Sequence, residues 1–233
     1  MERLGVPMEE TRARFDESLD LLQALLTDEE VSWDGEYYKF DPITIMPRPV
    51  RPGGPQMMMA VMNPEGIYAC TKRGFHIQTT PLAGNKQLLH DQVSAFPRAK
   101  EEMGEDGHDL TLSLSRVSFV TTSEADRQAK LSAAEYYYSK FDNVFTGPGL
   151  IDRGMARPLP RSQTREDLDA NLLICSPQQM IDQLGPYAEM GIDRVILSMN
   201  FGAAQSETLE SMQRFAEEVM PHFADASGSV AAE

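Results

Sequence analysis

Short apolar runs alternate with stretches of helical periodicity along most of the chain, and this alternation constrains the fold more than any other feature. Nearly continuous apolar strands separated by helices are typical of βαβ units, in which helices cover a parallel sheet. Four strands are predicted, at residues 56–62, 75–80, 110–121 and 193–200. Helices are predicted at residues 8–26, 64–73, 85–103, 124–141, 176–191 and 206–222. The sequence therefore predicts an α/β protein with a parallel sheet.

The spacing of apolar residues places them on one face of the first and of the last helix. In the first helix these residues are Phe15, Leu19, Leu22 and Leu26. In the last helix they are Leu209, Met212, Phe215, Ala216 and Val219. Pro97 predicts a kink or a break in the helix at 85–103, because proline cannot donate the helical hydrogen bond.

Three further segments do not follow the alternation. Residues 31–40 predict a β-hairpin, because the pair Asp34-Gly35 between aromatic and β-branched residues favours a two-residue turn. Residues 47–55 hold four prolines and two glycines, which predicts an extended connector. Residues 146–175 show no clear periodicity, and we expect them to form an irregular segment that acts as a mobile lid or wall.

The number of strands limits the architecture. A closed (β/α)8 barrel needs eight strands and about 250 residues. The chain has 233 residues, and many of them lie in the hairpin, the connector and the irregular segment. The pattern of strands and helices alone therefore leaves two alternatives open, half of a barrel or a small open α/β sheet.

The charge composition disfavours several classes of partner. The 36 acidic residues outnumber the 21 basic ones, and a net charge of −15 argues against nucleic acid and anionic membranes as partners. No apolar run approaches the ~20 residues of a membrane span, and the first residues do not resemble a signal peptide. Neither Cys70 and Cys175 nor the four histidines have the spacing of metal ligands. These features predict a cytoplasmic protein with reduced thiols and without a metal site.

The carboxyl ends of the predicted strands are where a parallel α/β protein binds its ligand. After the first strand, Asn63 is expected to cap a helix whose free N–H groups attract an anion such as phosphate. Gly66 would let a ligand approach the backbone. The alternative is a capped helix that binds nothing. The strand ends supply the candidate residues Met62, Asn63 and Gly66, Thr79 and Thr80, Thr121 and Thr122, and Met199 and Asn200.

Arg116 falls in the middle of the strand at 110–121, where an unpaired charge is costly to bury. Two interpretations remain open: the guanidinium binds an anion or a carboxylate, or it faces solvent on the alternating strand. No motif identifies a catalytic residue, since the sequence contains no P-loop, GxSxG, HExxH or GxGxxG.

Five segments, taken in order, resemble the C-terminal two-thirds of bacterial luciferase-like monooxygenases, a flavin-dependent family. The first resembles the helix and "G-x-Y-Y/F-x-F" hairpin of the family, and the second its proline-rich approach to the fifth barrel strand. The last resembles the closing "F-A-x-x-V-(L/M)-P-x-F". The segments read RARFDESLDLLQAL with VSWDGEYYKF, PRPVRPGGPQMMMAVMNPEGIYACTKRGF, LSRVSFVTTSEAD, ICSPQQMIDQLGPYAEMGIDRVILSM and RFAEEVMPHF.

This resemblance implies a partial (β/α)8 TIM barrel, with about strands five to eight, in one domain at 1–223 followed by a disordered tail at 224–233. It implies reduced FMN, supplied by a flavin reductase, and O₂ acting on a small organic substrate, with the deazaflavin F420 less favoured as cofactor. The flavin phosphate and ribityl chain would lie at Met62, Asn63 and Gly66, and Thr79 and Thr80 would lie near the isoalloxazine. The substrate pocket would include Arg116, Met199 and Asn200. Asn63 and Gly66 stand where the family has hydroxyl residues.

The resemblance also implies that about a hundred residues carrying strands one to four precede Met1 in full family members, with the catalytic residues among them. We therefore expect a truncated enzyme that forms a homodimer or pairs with another barrel chain. The alternative is a non-catalytic, flavin-binding or subunit-like half-barrel, and a third interpretation is a fragment that folds poorly.

Overall fold

The computed structural model describes residues 5–51, 53–145, 147–161 and 163–223, so the predicted tail at 224–233 lies outside the described residues. The chain divides into two compact units, Met1–Met57 and Met58–Glu233. The first unit contains a 3₁₀ turn at Met8–Glu10, helix α1 at Thr11–Thr27, and the antiparallel strands β1 at Val31–Asp34 and β2 at Lys39–Ile43.

The predicted hairpin is confirmed, but four residues rather than two separate its strands. The Glu17 carboxylate on α1 gives a reason for the longer loop. It accepts hydrogen bonds from the main-chain N–H groups of residues 36–38 at 3.0–3.1 Å. It also accepts one from Trp33 Nε1 at 3.1 Å. A two-residue turn has too few N–H groups to surround one carboxylate in this way.

The second unit contains the alternating elements. Its parallel strands are β3 at Met58–Ala60, β4 at His76–Thr79, β5 at Leu112–Val120, β8 at Leu173–Cys175 and β9 at Arg194–Ser198. Its helices are α2 at Pro64–Lys72, α3 at Lys86–Met103, α4 at Glu124–Phe145, α5 at Arg165–Asn171, α6 at Pro177–Glu189 and α7 at Gln205–Arg214. A π-helical turn at Phe215–Val219 and a 3₁₀ turn at Met220–Phe223 extend α7. Two short strands, β6 at Ile151–Asp152 and β7 at Met155–Ala156, pair antiparallel.

The sheet is built around β5. Strand β3 pairs with β4, and β4 pairs with the first residues of β5, at Leu112–Leu114. Strand β9 pairs with Ser113–Val117, and β8 with Ser118–Val120. All of these pairings are parallel, which confirms the predicted class of sheet. Five parallel strands are described rather than the four predicted.

Strand β8 belongs to the segment at 146–175, for which we expected no regular structure. This expectation was wrong, since the segment also contains β6, β7 and α5. Helix α5 begins with a capping box between Thr164 and Asp167. The periodicity missed these elements because none of them is longer than seven residues, too short to show a repeat.

Two apolar clusters cover the sheet. The first joins Ile77 of β4 and Leu112 and Leu114 of β5 to the buried faces of α2, α3 and α6. The second joins Phe119 of β5 to α4 and α5. Successive residues of a strand face opposite sides, and Gln78 and Ser115, on the side away from Ile77 and Leu114, are joined by a hydrogen bond of 3.0 Å.

The predicted helix faces are partly confirmed and partly corrected in both terminal helices. In α1, Leu19 is buried as predicted, but Phe15 and Leu22 are 45% and 44% exposed and Leu21 is buried as well. In α7 and its extension, Val219 is buried as predicted, but Leu209 and Met212 are exposed and Ser211 is buried. The reason in α7 is polar: the Ser211 hydroxyl accepts a hydrogen bond of 2.8 Å from the Val120 N–H at the end of β5. A periodicity that counts only apolar residues cannot detect this contact.

The predicted break at Pro97 is also wrong, because α3 continues to Met103. Pro97 is exposed, and Phe96 and Ala99 hold the neighbouring turns against the core. Helix α4 extends to Phe145, beyond its predicted end. The predicted connector at 47–55 contains no helix or strand in its described residues. Within the described part of the chain, no helix is both long and apolar enough to cross a membrane.

Candidate functional site

The carboxyl end of β3 leads directly into α2. Asn63 adopts an extended backbone and its Oδ1 accepts a hydrogen bond of 2.5 Å from the Gly66 N–H, so the predicted cap is confirmed. A Cβ on Gly66 would come within 2.7 Å of the Val61 side chain and 2.8 Å of Asn63 Oδ1. Glycine at this position is therefore required by the cap itself.

The donors at this helix start are few. Pro64 has no N–H, and the Gly66 N–H is already bonded to Asn63. The N–H of Glu65 remains available in the first turn, and the same residue carries a carboxylate. A phosphate group here would meet one main-chain donor and one negative charge, so the start of α2 by itself does not fit a phosphate dianion.

Gln92 ties the ends of β3 and β4 together. This residue of α3 is 1% exposed, and its Nε2 donates to the Met62 carbonyl at 2.6 Å and to the Thr80 carbonyl at 3.1 Å. Its Oε1 is buried without a hydrogen-bond partner among the described residues. One side chain therefore fixes both loops in which the sequence predicted a cofactor site. The signal that could have found it is a glutamine on the apolar face of α3, beside Leu89 and Val93.

Thr79 and Thr80 have different environments. Thr79 is 1% exposed, pairs with Leu114, and carries a hydroxyl without a hydrogen-bond partner among the described residues. Thr80 is half-buried, and its hydroxyl accepts a hydrogen bond of 3.0 Å from the Leu82 N–H. This bond holds Leu82 at a φ of +55°, so the Thr80 hydroxyl shapes the loop that leads to α3.

Met199 and Asn200 lie after β9, as predicted. Met199 is buried and Asn200 is exposed. Both line an open cavity of about 520 Å³ with Thr208, Met212 and Phe215. The lining is mostly apolar with three polar residues, Ser198, Asn200 and Thr208, which suits a small organic molecule.

Arg116 does not lie with the other predicted site residues. It has the same parity on β5 as Leu112 and Leu114 and lines a cavity with Leu89 and Tyr187 of the first cluster. It is 6% exposed, so the interpretation in which it faces solvent is wrong. Its Nη2 donates to the Asn171 carbonyl at the end of α5. Burial lowers the pKa of its guanidinium.

The ends of β5 and β8 form a further polar cavity of about 390 Å³, lined by Thr121, Thr122, Ser123, Arg127, Ser176 and Arg214 among others. Ser123 and Ser176 cap α4 and α6. Arg127 is paired with Glu124 and Asp169. Arg214 donates to the Val120 carbonyl at 3.1 and 3.2 Å. Both cations of this cavity therefore already have partners within the chain.

Neither His76 nor Cys175 supplies an acid or a nucleophile at the ends of β3 and β4. His76 begins β4, at the opposite end from the predicted site, and its Nδ1 lies 2.9 Å from the Thr111 hydroxyl. Burial raises the pKa of the Cys175 thiol to about 11, although Arg127 lowers it, so the thiol stays protonated at neutral pH. The described residues contain no group of three or more side chains that could hold a metal ion.

Comparison with known proteins identifies the family and several relatives of the chain. Residues 1–194 match the family model of luciferase-like monooxygenases. The oxygenase component of the flavin-dependent trigonelline monooxygenase of Acinetobacter baylyi is 26% identical over 199 residues, or 82% of this chain and 55% of that protein. The F420-dependent glucose-6-phosphate dehydrogenase of Beutenbergia cavernae is 24% identical over 224 residues, or 94% of this chain and 63% of that protein.

A solved structure shows the same fold. The monooxygenase RslO1 of Streptomyces bottropensis matches with a TM-score of 0.72 at 20% identity, over 96% of this chain and 65% of that one. The chain thus spans 55–65% of the length of these three relatives. The predicted fold class, an α/β fold with part of a (β/α)8 barrel, is confirmed, and the described strands do not close into a barrel.

Proposed function

The chain belongs to the family of luciferase-like monooxygenases, and on that premise we propose that it is a flavin-dependent oxidoreductase that uses reduced FMN and O₂ to oxygenate a small organic molecule. The observation that carries this proposal is the family match over residues 1–194. The relative from Acinetobacter baylyi, named as a flavin-dependent oxygenase component, supports the choice of reaction.

The proposed cofactor site is the edge formed by the ends of β3 and β4. Met62 is 51% exposed there, beside the half-buried Thr80, and Gln92 holds the carbonyls of both residues. Met62, Asn63, Gly66, Thr79 and Thr80 are the residues that we propose to form it. Their apolar and neutral polar groups suit the ring and the ribityl chain of a flavin better than its phosphate, given the single free N–H at the start of α2. Reduced flavin, when bound, supplies the electrons that activate O₂.

The cavity beside Met199 and Asn200 is the proposed substrate pocket, because it also opens after the end of a parallel strand. The chain's part in the reaction is to orient the flavin and the substrate and to exclude water. The word "component" in the name of the relative supports a partner that reduces the flavin, and we include a flavin reductase and a second barrel chain or second copy as partners.

Two alternatives define the test. The relative from Beutenbergia cavernae is named as F420-dependent. The test therefore compares the binding of F420 and of FMN directly. A flavin-binding chain without its own activity is the second candidate function. It is favoured by Asn63 and Gly66, which stand where the resemblance to the family implies hydroxyl residues.

The test is an anaerobic titration of the 233-residue chain with reduced FMN, oxidised FMN, riboflavin and F420, followed by flavin absorbance and fluorescence. Saturable one-to-one binding of reduced FMN supports the proposal, and similar affinity for riboflavin would show that the phosphate contributes little. Binding of F420 alone would replace the cofactor. Binding of FMN without oxygenation of any tested substrate, with a reductase present, would favour the second candidate. Failure to bind any of the four would overturn the flavin site.

Gln92→Leu tests the site itself. The substitution removes both hydrogen bonds that hold the Met62 and Thr80 carbonyls. Since each is worth roughly 1 kcal/mol, ordering the two loops on binding would cost up to about 2 kcal/mol, and we expect flavin affinity to fall by about ten- to thirtyfold. Gln87→Leu on the same helix is the matched control, because Gln87 is exposed and bonds only to the neighbouring Asp91. Equal flavin affinity in the two folded variants would show that the cofactor does not depend on these loops.

A further inference from the structure

A crevice separate from the proposed cofactor edge lies between the start of α3 and helix α6. It encloses about 220 Å³. Its base is buried and consists of Arg116, Leu89 and Tyr187, and its rim is exposed and includes Lys86 and Gln183. A charged side chain at the closed end and a polar, solvent-exposed mouth are the features of a small-ligand pocket.

The charge of Arg116 is not compensated within the described part of the chain. The residue is 6% exposed and has no carboxylate within ion-pair distance among the described residues. Among the described residues its guanidinium makes one hydrogen bond, from Nη2 to the Asn171 carbonyl, and its Nε has no partner there. A buried cation without a carboxylate is costly, and a bound anion would offset this cost.

The start of α3 adds donors to the same crevice. Helix α3 is 18 residues long, and its cap residue Asn85 accepts a hydrogen bond from the Leu88 N–H at 3.0 Å. The N–H groups of Lys86 and Gln87, in the first turn, have no intrahelical acceptor. Lys86 is exposed in the lining, and Asp182 is the acidic residue there. The lining therefore contains two cations and a helix N-terminus but one carboxylate. This balance of charge favours the binding of an anion.

We propose that this crevice binds a phosphate group, either inorganic phosphate or the head of a small phosphate monoester. Arg116 at the base donates to it through Nε and the free edge of its guanidinium, and Lys86 and the first N–H groups of α3 hold it at the mouth. The volume of about 220 Å³ suits one tetrahedral oxyanion with a few waters. This inference does not rest on the proposed function, since it uses none of the residues of the proposed cofactor edge.

The test is a calorimetric titration of the 233-residue chain with inorganic phosphate and with glycerol 3-phosphate, in chloride buffer of constant ionic strength. We expect saturable one-to-one binding. Because charge-assisted bonds to phosphate are among the strongest, Arg116→Met should weaken binding by about tenfold or more, and Lys86→Met by about threefold. Arg98→Met is the matched control, since Arg98 is exposed on the same helix and should leave binding unchanged. Tighter binding of the monoester would identify an ester as the ligand, and equal binding the free ion.

Three results would overturn the proposal: no saturable phosphate binding by the unaltered chain, unaltered binding by folded Arg116→Met, or equal weakening by Arg98→Met. If Arg116→Met does not fold, Arg116→Lys is the second variant. It keeps the positive charge but loses the planar set of N–H donors of the guanidinium. It should then still bind phosphate, but several-fold more weakly. Full affinity in that variant together with full affinity in Lys86→Met would also overturn the proposal.

Discussion

Two buried cations, Lys130 on α4 and Arg116 on β5, occupy different electrostatic environments in the same unit. Lys130 is 5% exposed and its Nζ lies 2.6 Å from Glu207 Oε1 and 3.2 Å from Asp126 Oδ1. Arg116 is 6% exposed, and within the described residues its side chain makes a single hydrogen bond, to the Asn171 carbonyl. The pKa of Lys130 is raised, since the bonds to both carboxylates outweigh the effect of burial, whereas burial lowers the pKa of Arg116.

This difference separates a cation that stabilises the fold from one that is available to a ligand. Glu207 lies in the first turn of α7 and Asp126 in the first turn of α4, so Lys130 joins two helices and its charge is used within the chain. Arg116 lines a crevice, and among the described residues its guanidinium donates a hydrogen bond only to a main-chain oxygen. Substitutions that remove each charge should therefore have opposite consequences for stability and for ligand binding.

The largest effect is expected for Lys130→Met. The substitution leaves the partly buried Asp126 and the half-exposed Glu207 without their cation. Breaking a buried pair costs about 3–5 kcal/mol, and the exposure of Glu207 reduces the expected loss to about 2–3 kcal/mol. Urea denaturation measures it. Lys72→Met is the control, because the pair with Glu102 is more exposed and 3.6 Å long, and its loss should cost under about 1 kcal/mol.

A smaller effect is expected for Arg116→Met in phosphate-free buffer. Removal of the guanidinium relieves the cost of a buried charge, while the Asn171 carbonyl loses its donor at a cost of about 1–3 kcal/mol. The two effects oppose each other, so the free energy of unfolding should change by less than about 1 kcal/mol. A loss as large as that of Lys130→Met would show that Arg116 is as structural as Lys130, and the contrast between the two cations would fail.

The sequence predicted the parts of the fold that show periodicity or cap chemistry. Strands β3, β4, β5 and β9 follow from apolar runs, and the cap by Asn63 follows from its position before Pro64. Strand β8 could not be predicted, because three residues inside an irregular segment carry no pattern. The apolar faces of α1 and α7 were only partly predicted, and in α7 the polar contact of Ser211 with Val120 helps to decide which side is buried.

The candidate site was predictable only in outline. Because strands alternate with helices, the carboxyl ends of the parallel strands lie at one edge of the sheet. Met62 and Thr80, which follow neighbouring strands, are therefore expected at the same edge. It does not reveal that Gln92, from the following helix, bonds to both carbonyls. Nor could the strand pattern decide whether Arg116 faces solvent, because that depends on helices α3 and α6 packing over its side of the sheet.

The pH dependence of the free energy of unfolding gives the smallest expected effect, and it distinguishes Lys130 from Arg116 most sharply. Burial raises the pKa of Asp126, but hydrogen bonds from Thr122 and Lys130 lower it below its ordinary value of 3.8. The hydrogen bond from Lys130 is the main cause that lowers the pKa of Glu207 below 4.5. Stability from a carboxylate with a lowered pKa is present above the ordinary pKa and is lost as pH falls through the lowered one.

The difference in unfolding free energy between the unaltered chain and Lys130→Met should therefore be constant near neutral pH and shrink below about pH 4. For Arg116→Met the corresponding difference should stay flat over the same range, because no carboxylate among the described residues pairs with Arg116 and burial raises the pKa of Tyr187 beside it further above neutral pH. Urea denaturation from pH 3 to pH 8 compares the two variants. An acid-dependent difference in Arg116→Met would reveal a carboxylate that stabilises the guanidinium, and would remove the need for a bound anion.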